Sequence, residues 1–440
     1  MLLKLTFNNM LSISLISLGC PKNLADLEAV VSQLKNVELT SEEKAGIVLL
    51  NTCGFLKAAR DEVFENLENL KNKRVIILGC LASRFTKEIQ EKYPQIYAVV
   101  SGANYKNINA ILHKVSQNKR VIAINTEPKI FENPKGKTLL YNRPYAYVKI
   151  AEGCNNRCSY CLIPYLKGAY RSRKPADIIS EVKTLLKKGI KEIILVAQDC
   201  GCYGADLSGK PSLSLLLTRL VGIKGDFWIR ILYVYPERIT DKLLETIKNS
   251  DKICRYLDIP LQHGDPEILK KMHRPPDIEK TTKLIEKIRS ILPDVALRTS
   301  LITGFPGETP KQFSNLLKFI KRIDFDHVGV FEYSREKGTP AYDLPGQIPE
   351  KTKTDRRKKA MLLQQKISLS KNQNLTGKTL KVLIENYDHH ANLYTARSQK
   401  FSPEIDGQIL IKSKKPLPSN AFVSVKITKA NIYDLEAEPT

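Results

Sequence analysis

Three cysteines crowd into the stretch AEGCNNRCSYCLIP: Cys154, Cys158 and Cys161, in a C-x3-C-x2-C spacing. Thiolates bind zinc and iron–sulfur clusters, and a C-x2-C pair is a common half of a zinc site. Structural zinc takes four protein ligands, yet no His or Cys follows nearby, and the next cysteine is Cys200. An iron–sulfur cube answers the count differently. Four thiolates close such a cube as an electron carrier. Three leave one iron open for a substrate, as catalytic metal sites keep one open position. The close spacing lets one loop hold three corners of one cube. Zinc and a plain electron-transfer cluster are the competing readings.

Three further cysteines stand at the ends of short apolar runs: Cys20 in SLGC, Cys53 in LNTC and Cys80 in ILGC. Parallel strands present their C-terminal ends on one edge of a sheet, so these thiols can converge despite their separation in sequence. Buried structural cysteine is the plain alternative. Equivalent placement of all three favours a second iron–sulfur site with one open iron. Cys200, Cys202 and Cys254 read as barrel or loop residues. Nine cysteines, an odd number in a long chain with no secretory signal, point to metal or catalytic use in a reducing compartment. The opening residues read as a first strand with a ragged leader and not as a signal peptide.

The elements that would carry these residues show in the hydropathy pattern. Residues 13 to about 117 alternate strand-like and helix-like segments, which predicts a parallel sheet covered by helices. Residues 118–143 lose the rhythm and carry Pro128 and Pro134, the mark of a linker. From residue 145, six buried-strand candidates alternate with helical stretches: YAYVKIAEGC, EIILVAQDC, WIRILYVYP, CRYLDIPLQHG, VALRTSLITGFPGE and DHVGVFEYS. Repeated βα units curl into a barrel. Six fall short of the eight that close one, so a partial (β/α)6 TIM-like barrel is expected, open along one side. The Cys154 triplet follows its first strand, at the end where barrel enzymes build active sites.

Polar residues near other strand ends are candidates for holding a cofactor: Gln198 and Asp199, Gln262 and His263, Arg298 and Thr299 within the fifth strand, with Tyr160 between the last two cysteines. Glu332 and Tyr333 end the sixth strand. Capping and turn chemistry is the alternative for each. Residues 351–370 hold seven basic residues and one acid, which reads as an exposed helix or linker with a solvated face. The short strand-like runs after it suggest a small antiparallel β-barrel.

The chain has 440 residues, 42% hydrophobic and 26% charged, an ordinary globular mixture. No run approaches the roughly 18 apolar residues of a membrane span. The net charge of +24 suits a phosphate-rich partner such as RNA or a ribosome.

Taken together, SLGCPKNLADLEAV, NTCGF, ILGC, YAYVKIAEGCNNRCSYCLIPYLKGAYRSR, LRTSLITGFPGET and VFEYSREKGTPAY resemble the radical S-adenosylmethionine methylthiotransferases over nearly the whole chain. The resemblance implies two 4Fe-4S clusters, the first on Cys20, Cys53 and Cys80 and the second on Cys154, Cys158 and Cys161. The open iron of the second would bind S-adenosylmethionine, which serves the family both as methyl donor and as radical source. It implies an N-terminal cluster domain at 11–125, a radical core at 140–370 and a TRAM domain at 373–440 that binds the substrate. GCPKN and SPEIDG, at 402–407, resemble the branch that modifies an aspartate β-carbon of ribosomal protein S12; Ala25 and Leu27 depart from its usual residues without touching a ligand. The expected partners are S12 or the small ribosomal subunit and a reducing flavodoxin or ferredoxin, for a cytoplasmic monomer. The alternatives are a methylthiotransferase acting on a modified adenosine in tRNA, and a zinc-bearing RNA-binding module without catalysis. Residues 371–440 carry ten Lys or Arg and seven Asp or Glu, a balance that favours neither RNA nor a basic protein.

Overall fold

The computed structural model describes residues 10–54, 56–124, 137–210 and 212–440. The leader, Phe55 and the part of the expected linker that holds Pro128 and Pro134 lie outside the described residues. The chain forms two compact units, one of residues 1–140 with 152–155 and 162–171, the other of 141–151, 156–161 and 172–440.

The first unit is built on six parallel strands: β1 (Leu11–Ser17), β2 (Val37–Leu39), β3 (Ile47–Thr52), β4 (Arg74–Gly79), β5 (Ile96–Val100) and β6 (Val121–Ala123). Their order across the sheet is β2-β1-β3-β4-β5-β6. The sequence IVLLNT of β3 is buried throughout, as expected for a central parallel strand covered on both faces. Side chains alternate across it. Leu49 packs with Leu27, Ile76 and Ile111 on one face, and Val48 and Leu50 with Val63, Leu67 and Ile77 on the other. The edge strands β2 and β6 were not legible in sequence. Each is three residues long and partly exposed, too short to show a period, and β6 falls where the pattern suggested a linker.

The second unit holds all six expected barrel strands: β7 (Tyr145–Lys149), β8 (Glu192–Val196), β9 (Trp228–Ile231), β10 (Tyr256–Asp258), β11 (Ala296–Thr303) and β12 (His327–Glu332). They form two parallel three-stranded sheets, β9-β8-β7 and β10-β11-β12. An isolated parallel bridge, Ile229 to Ile253, joins them. The strands therefore follow chain order, the topology of a partial barrel. Helices fill the crossovers; the one at Pro310–Ile323 opens on a capping box of Thr309 and Gln312, where the GFPGE turn hands over to helix.

The basic run forms a helix, Glu350–Gln373, but its face is not simply solvated. Lys353, Arg356, Ala360, Gln364, Ser368 and Asn372 make a buried stripe at helical spacing. Each buried cation has acceptors. Lys353 donates to the carbonyl of Tyr333 at 3.0 Å, and Arg356 to Glu308 Oε1 at 2.9 Å. Charge counts along a sequence do not reveal such partners, whereas Lys358 and Lys359 are exposed as expected.

The same unit ends in a closed five-stranded barrel of β13 (Thr379–Asp388), β14 (Leu393–Ser398), β15 (Ile409–Ile411), β16 (Phe422–Ala430) and β17 (Leu435–Pro439), in the order β13-β14-β15-β17-β16. The pairing is antiparallel except between β15 and β17, which run parallel. Val382, Ile384, Ile409, Val425 and Leu435 fill its centre.

Candidate functional site

In the first unit, the loops after β1, β3 and β4 carry Cys20, Cys53 and Cys80. Cys20 precedes the helix Pro21–Val31, Cys53 directly follows β3, and Cys80 opens a 3-10 turn after β4. One side chain ties the loops together. The Asn23 Oδ1 atom lies 3.9 Å from Cys20 Sγ and 3.7 Å from Cys80 Sγ. Its Nδ2 donates to the carbonyl of Thr52 at 2.9 Å, and its own carbonyl accepts from Asn51 at 2.8 Å. Two glycines let the backbones close in. A Cβ at Gly19, whose φ is +100°, would stand 2.8 Å from Cys53 Cβ, and one at Gly54 would stand 2.8 Å from the Leu81 nitrogen. Among the described residues no three His, Cys, Asp or Glu side chains close on a single ion. Thiols spread over three adjoining loops suit a polynuclear cluster, wider than one ion. Cys80 is buried, which pushes its thiol pKa up, while the Lys167 ammonium pulls the other way. Lys167 pairs with Glu152 at 2.9 Å, both largely buried.

The second triplet lies on the loop beyond β7, and neighbouring chain fixes each part of it. The Cys154 nitrogen donates to the carbonyl of Gly168 at 3.1 Å. In the second unit, the Cys161 nitrogen donates to the carbonyl of Cys158 at 3.1 Å, and Ser159 bonds the carbonyls of Lys271 and Met272. Arg274 Nη1 stands 3.8 Å from Cys158 Sγ. Its guanidinium lies 3.8 Å over the Tyr235 ring and bonds the carbonyl of Pro260. Burial and the neighbouring Cys158 raise the Tyr160 phenol pKa well above its usual value.

The other candidates divide by position. Gln198 lies two residues beyond the end of β8, and its buried Oε1 has no hydrogen-bond partner, a polar atom left for a ligand group to satisfy. Asp199 accepts from the Gly201 and Tyr235 nitrogens and from Asn156 Nδ2 at 3.2 Å, so it holds the cysteine loop. Burial raises its pKa. Gln262, with φ of 72°, bonds the edge of β11 through its backbone. His263 is buried among Leu261, Leu269 and Phe319; its Nδ1 accepts from the Asp265 nitrogen, and its Nε2 sits 3.7 Å from Glu308. Arg298 and Thr299 occupy the third and fourth positions of the eight-residue β11, away from its C-terminal end. Arg298 pairs with Asp258 at 3.0 Å and with Asp406 at 3.5 Å, and Thr299 bonds the carbonyl of Ile259. Beyond β12, Tyr333 donates to the carbonyl of Ala341, and Glu332 pairs with Arg357. Cys200 and Cys254 are buried, with burial pushing the Cys254 thiol up to about 12.

Asn23, Asn156 and Arg274 were not singled out from the sequence. Asn23 and Asn156 lie within the quoted motifs, whereas Arg274 arrives from a distant loop and carries no local signal. The adjoining strand-end thiols and the glycine gaps fit an iron–sulfur cluster in the first unit, and in the second unit the orphaned Gln198 oxygen fits a polar ligand.

Three families match successive parts of the chain: the uncharacterized protein family UPF0004 at residues 12–101, the Radical SAM superfamily at 148–320 and the TRAM domain at 376–439. The ribosomal protein uS12 methylthiotransferase RimO of Carboxydothermus hydrogenoformans is 42% identical over 432 residues, covering 96% of this chain and 98% of that protein. Those of Acetivibrio thermocellus and Clostridioides difficile are each 43% identical, covering 97% of this chain and 98% of theirs. Among solved structures, the radical S-adenosylmethionine methyltransferase TsrM from Kitasatospora setae, with cobalamin and a 4Fe-4S cluster bound, shares the fold. Its TM-score is 0.54 at 15% identity, over 76% of this chain and 77% of that one.

Proposed function

This chain belongs to the RimO family of ribosomal protein uS12 methylthiotransferases, and on that premise we propose that it replaces a hydrogen on the β-carbon of a uS12 aspartate with a methylthio group. The observation that carries the reading is the pair of cysteine triplets, one at the strand ends of an α/β sheet and one at the mouth of a partial barrel. When bound, two 4Fe-4S clusters and S-adenosylmethionine supply the sulfur site, the methyl group and the radical that takes the hydrogen.

The residues divide the remaining work. Cys20, Cys53 and Cys80 hold the first cluster, and Asn23 fixes the thiols of Cys20 and Cys80 against one polar atom. Cys154, Cys158 and Cys161 hold the second. Arg274 sets a fixed positive charge beside Cys158 and locks the loop to Pro260. Asp199 orients the loop through Asn156. Gln198 offers its unpartnered oxygen to a donor on the bound nucleoside or amino acid, and Tyr160 walls the same region. Arg298 and Thr299 position strands, and the backbone of Gln262 ties two of them together. His263 lies behind the barrel wall, where its contacts support packing.

Residues 11–125, 140–370 and 373–440 serve as cluster, radical and tail domains. The enzyme works as a cytoplasmic monomer on uS12 or the small ribosomal subunit, with electrons from a flavodoxin or ferredoxin. Its basic charge suits approach to a ribosome. No helix among the described residues is long and apolar enough to cross a membrane. The tRNA alternative is not favoured, because the close relatives carry the uS12 activity in their names.

The test is direct. Anaerobically reconstituted protein, S-adenosylmethionine and a reductant are incubated separately with uS12 and with bulk tRNA. A methylthio group on the uS12 aspartate, with tRNA nucleosides unchanged, is expected. Methylthiolated adenosine with unmodified uS12 would overturn the reading.

A further inference from the structure

The six barrel strands run parallel, so their first residues share one end, opposite the loop of Cys158 and Cys161. Six strands alone would leave that end open. Here it meets one segment of the tail, residues 397–406, which runs from the last two residues of β14 toward β15. Every barrel strand contributes a contact. From β7, Tyr145 and Tyr147 donate their hydroxyls to the two oxygens of Glu404 at 2.8 and 3.2 Å, and Arg143 pairs with it at 3.1 Å. From β8, Glu192 takes Arg397 at 2.7 Å. From β9, Arg230 donates to the carbonyl of Gln399 at 2.8 Å. From β10, the Tyr256 hydroxyl donates to Asp406 at 2.7 Å, and from β11 Arg298 reaches the same carboxylate. From β12, the His327 ring N–H donates to the carbonyl of Lys400 at 2.8 Å.

These are not the contacts of a loosely tethered module. Glu192 and Arg230 are fully buried, and Arg397 is 2% exposed. Charges buried to that degree hold only when each meets its partner, and removing one leaves another stranded. The segment is also shaped for its place. Glu404 adopts a left-handed φ of 69°, which a non-glycine residue takes only where its surroundings demand it. At Gly407 a side chain would run into the carbonyl of Tyr433.

We propose that residues 397–406 are the floor of the reaction chamber, and that within it Glu404 and Asp406 are positioning residues that hold the starts of β7, β10 and β11 in register. The floor makes barrel and tail one catalytic body and leaves the cysteine end as the way in. The SPEIDG motif therefore faces inward, and docking of a macromolecular substrate on the tail falls to its other faces. The chemistry of this proposal rests on the methylthiotransferase reading; the floor itself rests on geometry.

Trp228, the single tryptophan, reports on the joint. It opens β9, and its ring lies 4.6 Å from that of Phe422 on β16. In full-length protein without clusters, the Glu404→Gln, Asp406→Asn double variant should expose Trp228 to acrylamide quenching severalfold more than wild type. In reconstituted protein, the same variant should release severalfold more 5′-deoxyadenosine per methylthiolated uS12, because a misaligned wall spoils transfer more than cofactor cleavage. Unchanged quenching would overturn the proposal. So would raised quenching with an unchanged ratio, since a merely adhesive joint lowers cleavage and transfer together. Should the double variant not fold, Glu404→Gln alone keeps one of the two acceptor oxygens, removes the charge beside Arg143 and gives both readings. If the wild type cleaves S-adenosylmethionine but never modifies uS12, the functional reading fails and Trp228 alone decides the floor.

Discussion

The loop from Cys154 to Cys161 carries its three thiols on a few residues of continuous chain, whereas Cys20, Cys53 and Cys80 are assembled by the ends of β1, β3 and β4. The first arrangement draws its geometry from local spacing and a few side-chain ties to neighbouring loops. The second depends on sheet register and on bare backbone where loops meet. The loop triplet should therefore tolerate the loss of one tie, and the strand-end triplet should fail at a single added methyl.

The largest effects come from removing thiols. With Cys154, Cys158 and Cys161 all changed to Ala, iron should fall from about eight to about four atoms per chain, as for the loss of one of two 4Fe-4S clusters. Cleavage of S-adenosylmethionine should then vanish. The same change at Cys20, Cys53 and Cys80 should give the same iron loss while cleavage survives and methylthiolation is abolished. Equal loss of cleavage in both variants would erase the division of labour.

Next comes Gly19→Ala, which adds one methyl and removes no thiol. The new Cβ would stand 2.8 Å from that of Cys53, at a φ that disfavours side chains. Iron analysis should again show about half the metal, lost from the first site alone. Full metal content would mean that the strand-end site is less exacting than its geometry implies.

Asp199→Ala tests the loop triplet's milder dependence. It strands the Gly201 and Tyr235 amides and frees Asn156. Thermal unfolding should show a loss of about 1–3 kcal/mol, with both clusters retained. Arg274→Met is gentler still. A cation near Cys158 favours the more negative, reduced cluster, so its removal should lower the second cluster's reduction potential by on the order of tens of millivolts. Redox titration followed by electron paramagnetic resonance would read it, and the first cluster should not move.

The smallest effect is a pH control in the barrel. Burial raises the pKa of Glu192, but Arg230 and Arg397 outweigh it and hold the carboxyl below its usual 4.5. A depressed carboxyl stabilises the fold above its unfolded-state value and loses that contribution as pH falls through the folded one. Unfolding of the cluster-free protein should therefore show the second unit weakening below about pH 4.5. The first unit, which lacks this doubly paired buried carboxylate, should weaken less over the same range.

The two triplets also differ in what the sequence revealed. Cys154, Cys158 and Cys161 were plain from spacing. The other three were singled out because each closes an apolar run, and β1, β3 and β4 are adjacent in the sheet. The six barrel strands were legible because each is a continuous apolar run between helical stretches. Less visible was anything resting on distant polar partners. The helix Glu350–Gln373 looked solvated because its buried cations are matched by Glu308 and by backbone carbonyls elsewhere in the chain. Arg298, read within the fifth strand as a cofactor-holding candidate, meets Asp258 and Asp406 near that strand's beginning. SPEIDG could be read as a family mark, but its inward placement follows from a fold that brings residue 404 to residue 145.

The most direct measurement is the intact mass of uS12 from cells with and without this protein. The account predicts that uS12 is lighter without it by one methylthio group less one hydrogen. The mass should return with the wild-type gene, but with neither triple-cysteine variant. An identical uS12 mass in both cells, or restoration by either variant, would contradict it.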